Sequence, residues 1–346
     1  MITSILALVN TSRVLHDLNE LRSFGATHEG RYGRGVSRQA LTEADLDARR
    51  WLADLMKEEA GLIGNRLDTL GTLLGVGGHF QSKPALLMGS HSDTQPEGGW
   101  LDGALGVIYA IEAARVFHEA GLADRGAQLS WAVIDWSDEE GRFAALTASS
   151  AFIDNGLPLP EVHAAMRKAM RASAKHGNAV ELAEGHVWRR SNCGFDVAGY
   201  FEAHIEQGPK LERANATLGV VTSIVGMKQF ELDAIGLQSH AGATHMNDRA
   251  DAGLKAMRAA VAIDAAIRRE LCVAPGGGGI IEDVTAAAAF DCSKCDAVWT
   301  MSGLSGFVSH STVPGAATVT IQFRAVRFLC LVACCRKSRI ASHKKL

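Results

Sequence analysis

The fold is decided by a short stretch that reads ALLMGSHSD, residues 85–93. It begins as an apolar run of strand length and ends in a histidine and a carboxylate. The following residues 107–117 carry apolar side chains at helical spacing, so the order strand, loop, helix is predicted. Ligands of such βα units bind beyond the carboxyl ends of the strands, and we therefore expect His91 and Asp93 at a functional site.

Three further segments complete the prediction for the first part of the chain. Residues 42–60 predict a helix that opens with a capping box. Residues 129–134 repeat the pattern of a buried strand with polar residues at its carboxyl end. Alternation at 201–206 predicts a half-buried strand, which would place three side chains on one face: Glu202, His204 and Glu206. The fold class indicated is α/β with a mixed, largely parallel sheet.

The pattern changes near Ala214. Paired strands, an amphipathic helix and a further strand are predicted in turn at 219–226, 230–235, 251–271 and 318–323. This order suits a small second α/β domain. The predicted division is a catalytic domain at 1–214, a second domain at 215–326, and a basic, cysteine-rich tail at 327–346 without periodicity.

Composition excludes several classes of function. The 346 residues carry a formal net charge of −3, so no basic excess indicates a nucleic-acid partner. No window reaches the ~18 apolar residues of a membrane span, and the start lacks the basic region of a secretory signal. The seven irregularly spaced cysteines are typical of a reducing compartment. We expect a cytoplasmic protein that acts on a small molecule and not on a membrane.

Two cysteine pairs leave an alternative open. Cys292 and Cys295, together with Cys330 and Cys334, have enough ligands for a zinc ion. Neither pair has the compact, regular spacing of a zinc ribbon, so unpaired thiols are the favoured interpretation.

Side chains near the end of the first predicted strand are of the types that bind divalent metals. His91 could ligate a metal through one ring nitrogen while Asp93 accepts a hydrogen bond from the other, which would fix the tautomer. Two metals held about 3.5–4 Å apart generally share a ligand. Asp102, which follows a Gly-Gly turn, is the candidate bridging carboxylate.

Two later clusters supply what such a site would still need. Glu139 and Glu140 are adjacent, so one side chain could reach a metal and the other its bound water, and His204 could close the first site. Each cluster alone is common in ordinary solvated loops and strands. Their combination, each within or after a predicted strand, favours a metal-dependent hydrolase.

The same segments resemble the dizinc amidohydrolases, a family of hydantoinase/carbamoylase type that includes N-carbamoyl-L-amino-acid hydrolases, allantoate amidohydrolases and β-ureidopropionases. The resemblance implies a metallopeptidase-like βα catalytic domain with an inserted α/β lid that dimerises. The motifs that carry it are GSHSDT at 89–94, DGALGV at 102–107, DEEGRF at 138–143, HIEQGP at 204–209 and, in the lid, HAGAT at 240–244.

Position by position, the resemblance implies two divalent metal ions, zinc or manganese. His91, Asp102 and His204 would surround one ion, and Asp102 with Glu140 would hold the other. Glu139 would be the general base that takes a proton from the metal-activated water. Substrate contacts are implied for Gln207, Ser311, Arg324 and, from the lid of a partner subunit, the oxyanion-stabilising His240.

Three departures from the family pattern qualify this reading. Ser311 stands where the family has an asparagine, and His245 replaces a proline. Family members also continue past the arginine at 324 and supply another metal-binding histidine from a Gly-His-Asp segment, whereas only His343 follows here. We therefore expect a truncated chain with a weakened second metal site.

The expected function is metal-dependent hydrolysis of a linear C–N bond in an N-carbamoyl-L-amino acid or related ureido acid, by a homodimer. One alternative is a catalytically inactive, truncated homologue that retains only the dimerisation surface. Another is a dizinc aminoacylase or aminopeptidase, which the motif at 204–208 disfavours because those branches have a carboxylate in place of His204.

Overall fold

The computed structural model describes residues 5–27, 35–79, 83–123, 127–154, 156–174, 186–271, 297–306 and 311–325. The chain divides into two compact units, residues 1–215 and 216–346, next to the predicted boundary at 214. The cysteines at 292, 295, 330 and 334 and the tail at 327–346 lie outside the described residues. Within the described residues, no helix has the length and apolar character needed to cross a bilayer.

The first unit is built from helices on a five-stranded sheet. Its helices are α1 Thr11–Ser23, α2 Glu43–Glu58, α3 Ala104–Glu119, α4 Thr147–Asp154, α5 Pro160–Ala174 and α6 Lys210–Arg213. Its strands are β1 Ile63–Leu67, β2 Leu73–Gly77, β3 Ala85–His91, β4 Ser130–Trp136 and β5 Val197–Phe201. The predicted helix at 42–60 and the predicted strands at 85–88 and 129–134 are confirmed.

The sheet is mixed, with the strand order β1-β2-β4-β3-β5. β3 runs parallel to both of its neighbours, β4 and β5, whereas β1–β2 and β2–β4 pair antiparallel. Among these five strands only β2 runs in the opposite direction, so the predicted mixed, largely parallel sheet is confirmed. Helix α3 connects β3 to β4 and packs on both strands. The carboxyl ends of three parallel strands thus open at one edge.

The predicted strand at 201–206 is wrong beyond Phe201, where β5 ends. The side chains of Glu202 and Glu206 take hydrogen bonds that a strand would not offer. Glu202 accepts from Ser90 Oγ at 2.5 Å, and Glu206 accepts from the backbone N–H of Lys210 at 2.9 Å, at the start of α6. Such local side-chain bonds compete with a β-ladder, so the two glutamates and His204 do not share a strand face.

The described residues of the second unit form a three-stranded antiparallel sheet and one long helix. Its elements are β6 Gly226–Ile235, β7 Ser239–His240, a 3₁₀ turn at Met246–Asp248, α7 Ala252–Leu271, β8 Ala297–Ser305, β9 Thr312–Val313 and β10 Ala316–Ala325. The sheet order is β6-β10-β8, and β7 pairs with β9. The predicted helix at 251–271 and the predicted strand at 318–323 are confirmed.

Two details of this unit differ from the sequence prediction. Residues 219–225 form no strand, and β6 pairs with the distant β10 instead of with a local neighbour. The face of α7 that is buried carries alanines, with Ala252 and Ala256 fully covered. The larger Met257 and Val261, which the helical spacing of apolar residues at 251–271 puts on the apolar side, are 42% and 55% exposed.

Candidate metal centre

Three predicted metal ligands converge beyond the carboxyl ends of β3 and β5. His91 is the last residue of β3, Asp102 lies in the turn before α3, and His204 follows β5. One ligand atom from each lies within 4.8 Å of the other two. His204 Nε2 is 3.3 Å and His91 Nε2 is 3.9 Å from Asp102 Oδ1. The three side chains therefore point at a common position.

Backbone carbonyl groups fix the tautomer of both imidazoles. His91 Nδ1 donates to the carbonyl oxygen of Asp93 at 3.0 Å, and His204 Nδ1 donates to that of Ile205 at 2.9 Å. A carbonyl oxygen only accepts, so the proton of each neutral ring resides on Nδ1. In the neutral ring, each Nε2 therefore carries the lone pair and lies on the side of Asp102, which is the arrangement a metal-binding histidine requires.

Gly103 gives His91 the space that its ring occupies. The residue has a φ of 64°, and a Cβ at this position would lie 2.4 Å from His91 Cδ2 and Nε2. Glycine adopts a positive φ without steric cost, whereas other residues do not. The glycine after Asp102 thus serves both the turn into α3 and the close approach of the two ligands.

Glu139 extends the cluster with a second carboxylate. Its Oε2 lies 3.5 Å from His91 Nε2, and its side chain is 34% exposed. Partial burial raises the pKa of Glu139 and the neighbouring Glu140 raises it further, while His91 opposes the shift. A carboxylate with a raised pKa beside a metal position suits proton transfer near neutral pH.

Asp93 acts differently from the sequence prediction. Its carboxylate is 3.8 Å from His91 Nδ1, and its backbone oxygen accepts the hydrogen bond that the carboxylate was predicted to take. The buried carboxylate accepts instead from the backbone N–H groups of Glu139 at 3.4 Å and Glu140 at 3.2 Å. Burial raises the pKa of Asp93 to about 7, against the opposing effects of His91 and Arg49.

Glu140 and Gln207, predicted as a ligand of the second metal and as a substrate contact, each form a hydrogen bond with a polar side chain. Among the described residues, Glu140 is not part of the His/Asp/His group, and its carboxylate accepts from Gln95 Nε2 at 3.0 Å. Gln207 donates from Nε2 to Asp102 Oδ2, so it contacts a metal ligand. Both side chains lie at the edge of the cluster.

The remaining predicted site residues belong to the second unit. His240 pairs with Thr312 across β7 and β9, and the N–H of Ala241 donates to the backbone oxygen of Ser311 at 2.8 Å. His240 and Ser311 are therefore neighbours. Arg324 lies near the far end of β10, exposed, with Nε donating to Gln322 at 3.0 Å.

His240 has the opposite tautomer to the two metal-type histidines. The backbone N–H of Gly242 donates to His240 Nδ1 at 3.1 Å. Since Nδ1 accepts, the proton of the neutral ring lies on Nε2. Among the described contacts this leaves an N–H at the exposed edge of the ring, which is a hydrogen-bond donor rather than a metal ligand.

The sequence analysis did not identify Asp138 as a residue that shapes the site. Asp138 is fully buried with a φ of 58°, and its carboxylate accepts from Phe143 N at 3.1 Å, Ala144 N at 3.0 Å and Thr147 Oγ1 at 2.6 Å. These bonds form the turn that presents Glu139. The signal was available, because aspartate tolerates positive φ and caps local turns.

The donor set fits a divalent cation. Zinc is bound tetrahedrally at about 2.0–2.1 Å from histidine nitrogen, so neighbouring ligand atoms lie about 3.3 Å apart. The two measured distances to Asp102, 3.3 and 3.9 Å, need little adjustment. Two imidazole nitrogens and one carboxylate oxygen also leave a position open for water or substrate, as catalytic sites do.

Comparison with known proteins places this geometry in context. The chain is 36% identical over 263 residues to an N-carbamoyl-L-amino-acid amidohydrolase of Rhizobium meliloti, covering 72% of this chain and 58% of that protein. It is 32% identical over 303 residues to allantoate deiminase 1 of Glycine max, covering 84% and 59%. The matches to these curated relatives thus span less than two thirds of their length. None of the established protein-family models matches.

A solved structure indicates the same family, and its match covers a larger share of both chains. The crystal structure of a hydantoinase/carbamoylase family amidase from Burkholderia phymatum matches with a TM-score of 0.60 and 35% identity, covering 95% of this chain and 72% of that one. The fold is that of a metallopeptidase-like α/β protein. The chain belongs to the hydantoinase/carbamoylase family of amidases.

Proposed function

We propose that this chain carries the catalytic centre of an amidohydrolase that cleaves a linear C–N bond in an N-carbamoyl-L-amino acid or a related ureido acid. One observation carries the proposal. Both imidazoles direct Nε2 toward the carboxylate of Asp102, and the carboxylate of Glu139 lies 3.5 Å from His91 Nε2. The names of the relatives support the substrate class.

His91, Asp102 and His204 would hold a divalent metal. When bound there, such an ion lowers the pKa of water and polarises the substrate carbonyl. Glu139 takes the proton of the attacking water and returns it to the departing nitrogen. Burial shifts the pKa of Glu139 upward, which is the direction that favours its use as an acid as well as a base.

We further propose that one metal is held tightly and a second only weakly. The second position would depend on Asp102 and Glu140, and the carboxylate of Glu140 is engaged by Gln95. A second ion must therefore displace this hydrogen bond before it gains a ligand. The expected stoichiometry is one tightly bound ion per chain.

We propose that His240, Ser311 and Arg324 bind substrate and that they do so in a homodimer. His240 and Ser311 lie beside β9, whereas Arg324 is eight residues along β10 from Ala316. At ~3.3 Å per residue this is about 26 Å, far longer than a ureido acid. If His240 and Arg324 contact the same substrate molecule, they therefore come from two copies of the chain.

The test measures metal content and turnover of the purified chain. Bound zinc or manganese is quantified after dialysis, and ammonia release is followed with N-carbamoyl amino acids and with allantoate. We expect about one ion per chain and ammonia release, both lost in His204→Gln. His16→Gln, an exposed histidine on α1, is the matched control. A folded parent chain that binds no ion and releases no ammonia would overturn the proposal.

A further inference from the structure

Arg49 lies in the first unit, beneath the metal centre and out of contact with solvent. Its side chain is 0% exposed, and Nε contacts Asp45 Oδ1 at 3.0 Å within α2. Nη1 and Nη2 donate to the backbone oxygens of Asp135 and Trp136, both at 2.9 Å, at the carboxyl end of β4. One guanidinium therefore ties α2 to the strand that leads into the Glu139 loop.

The same guanidinium faces two further buried carboxylates. Nη1 is 3.0 Å from Asp135 Oδ2, and Nη2 is 3.8 Å from Asp93 Oδ1. All these side chains are at most 1% exposed. Buried ion pairs contribute little net stability compared with well-packed apolar residues, so fold stability alone gives little reason for this arrangement.

Each of the two carboxylates also accepts hydrogen bonds from a loop that carries a residue of the metal centre. Asp135 accepts from Ser92 N at 2.8 Å and from Ser92 Oγ at 2.7 Å, which fixes the residue directly after His91. The backbone oxygen of Asp93 accepts a hydrogen bond from the His91 ring, and its carboxylate accepts from the N–H groups of Glu139 and Glu140. The loops after β3 and β4 are thus joined through one arginine.

We infer that Arg49 is a positioning residue that sets the tautomer of His91 and the placement of Glu139 through Asp135, Ser92 and Asp93. Its described contacts are with Asp45, Asp93, Asp135 and Trp136, and none is with a ligand atom of His91, Asp102 or His204. The inference rests on the proposed function only for its catalytic consequence, since the positions of His91 and Glu139 are features of the metal-free chain.

The test compares Arg49→Lys with Arg115→Lys in the full chain. Arg115 is also 0% exposed and pairs with Asp17 at 2.5 Å and Glu59 at 2.7 Å, away from the cluster. Lysine keeps the charge but loses the planar fork at both positions. Zinc affinity is measured by competition with a chromophoric chelator. We expect Arg49→Lys to weaken it about 10–100-fold, as is typical when the partner of a ligand is lost, and Arg115→Lys to leave it unchanged.

A second variant and a second measurement keep the inference testable. Ser92→Ala removes the hydroxyl that donates to Asp135, and it tests the same network if Arg49→Lys does not fold. Ring ¹⁵N shifts of the metal-free chain, with His91 assigned by its loss in His91→Gln, report the tautomer even if the parent binds no zinc. The spectra are recorded at a pH at which the ring is neutral, where we expect the Nδ1–H form in the parent and a mixture in Arg49→Lys and Ser92→Ala. Unchanged zinc affinity and an unchanged tautomer in a folded variant would overturn the inference.

Discussion

His91 and His204 in the first unit differ from His240 in the second in which ring nitrogen carries the proton. The first two donate from Nδ1 to backbone oxygens, whereas His240 accepts a backbone N–H at Nδ1. The same side chain is thereby prepared as a lone-pair donor in one unit and as a hydrogen-bond donor in the other. Its role is set by the backbone group within reach and not by the residue type.

The largest effect is expected where proton transfer is removed. Glu139→Gln should lower kcat about 10²–10⁴-fold, because the amide cannot accept the proton of water, while bound zinc stays at the parent level. Ammonia release and metal content are measured on the same sample. Glu161→Gln, an exposed glutamate on α5, is the control. A parent-like rate in Glu139→Gln would remove the proposed general base.

The next effect tests the donor tautomer of His240. His240→Ala should lower kcat about 10²–10³-fold, as loss of an oxyanion donor does. His245→Ala, an exposed neighbour, should not. Mixing His240→Ala with Arg324→Ala should restore about a quarter of the parent rate, since half of the dimers are mixed and each has one intact site. An equimolar mixture that stays inactive would contradict a shared site.

Gly103→Ala tests whether the ring of His91 needs the space that the glycine leaves beside it. The added Cβ would meet the His91 ring at 2.4 Å, so zinc affinity should fall more than about 10-fold. Gly121→Ala is a matched control, because its φ of 61° is equally positive but nothing lies within 4 Å. The control should lose only ~1–2 kcal/mol of unfolding free energy and keep its zinc affinity. Equal zinc affinity in both variants would count against the close fit.

The smallest effect concerns the exposed face of α7. Val261→Ser, at a side chain that is 55% exposed, should change the free energy of unfolding by less than ~0.5 kcal/mol. Ala256→Ser, fully buried, should cost more because its hydroxyl needs a partner. Chemical denaturation measures both. A large loss in Val261→Ser that depends on protein concentration would instead place this face in an interface between copies.

The sequence predicted those features that depend on short-range patterns. The helix at 42–60 was recognisable from its capping-box pattern. In the structure Thr42 accepts the N–H of Asp45 at 3.3 Å, and the carboxylate of Asp45 accepts the N–H of Leu41 at 2.8 Å. The βα unit around His91 was recognisable because a buried strand needs a continuous apolar run. The motif resemblance then indicated the three ligands that converge.

The features that failed depend on partners distant in sequence. Alternation at 201–206 could not reveal that Glu202 bonds Ser90, 112 residues away, and so leaves the ladder. The apolar run at 219–225 looked like a strand, but β6 pairs with β10 about 90 residues later. The engagement of Glu140 by Gln95 and the contact of Asp93 with Arg49 likewise require the folded chain.

The position of β5 at the end of the sheet order has a mechanical consequence. Among the described strands β5 pairs with β3 alone, and His204 follows β5 by three residues. A cation bound by both His204 and His91 would link the end of this strand to the end of β3 and reduce its local opening. Backbone amides of Val197–Phe201 should therefore exchange hydrogen for deuterium more slowly in the presence of zinc, while those of β1, at the opposite edge, keep their rate.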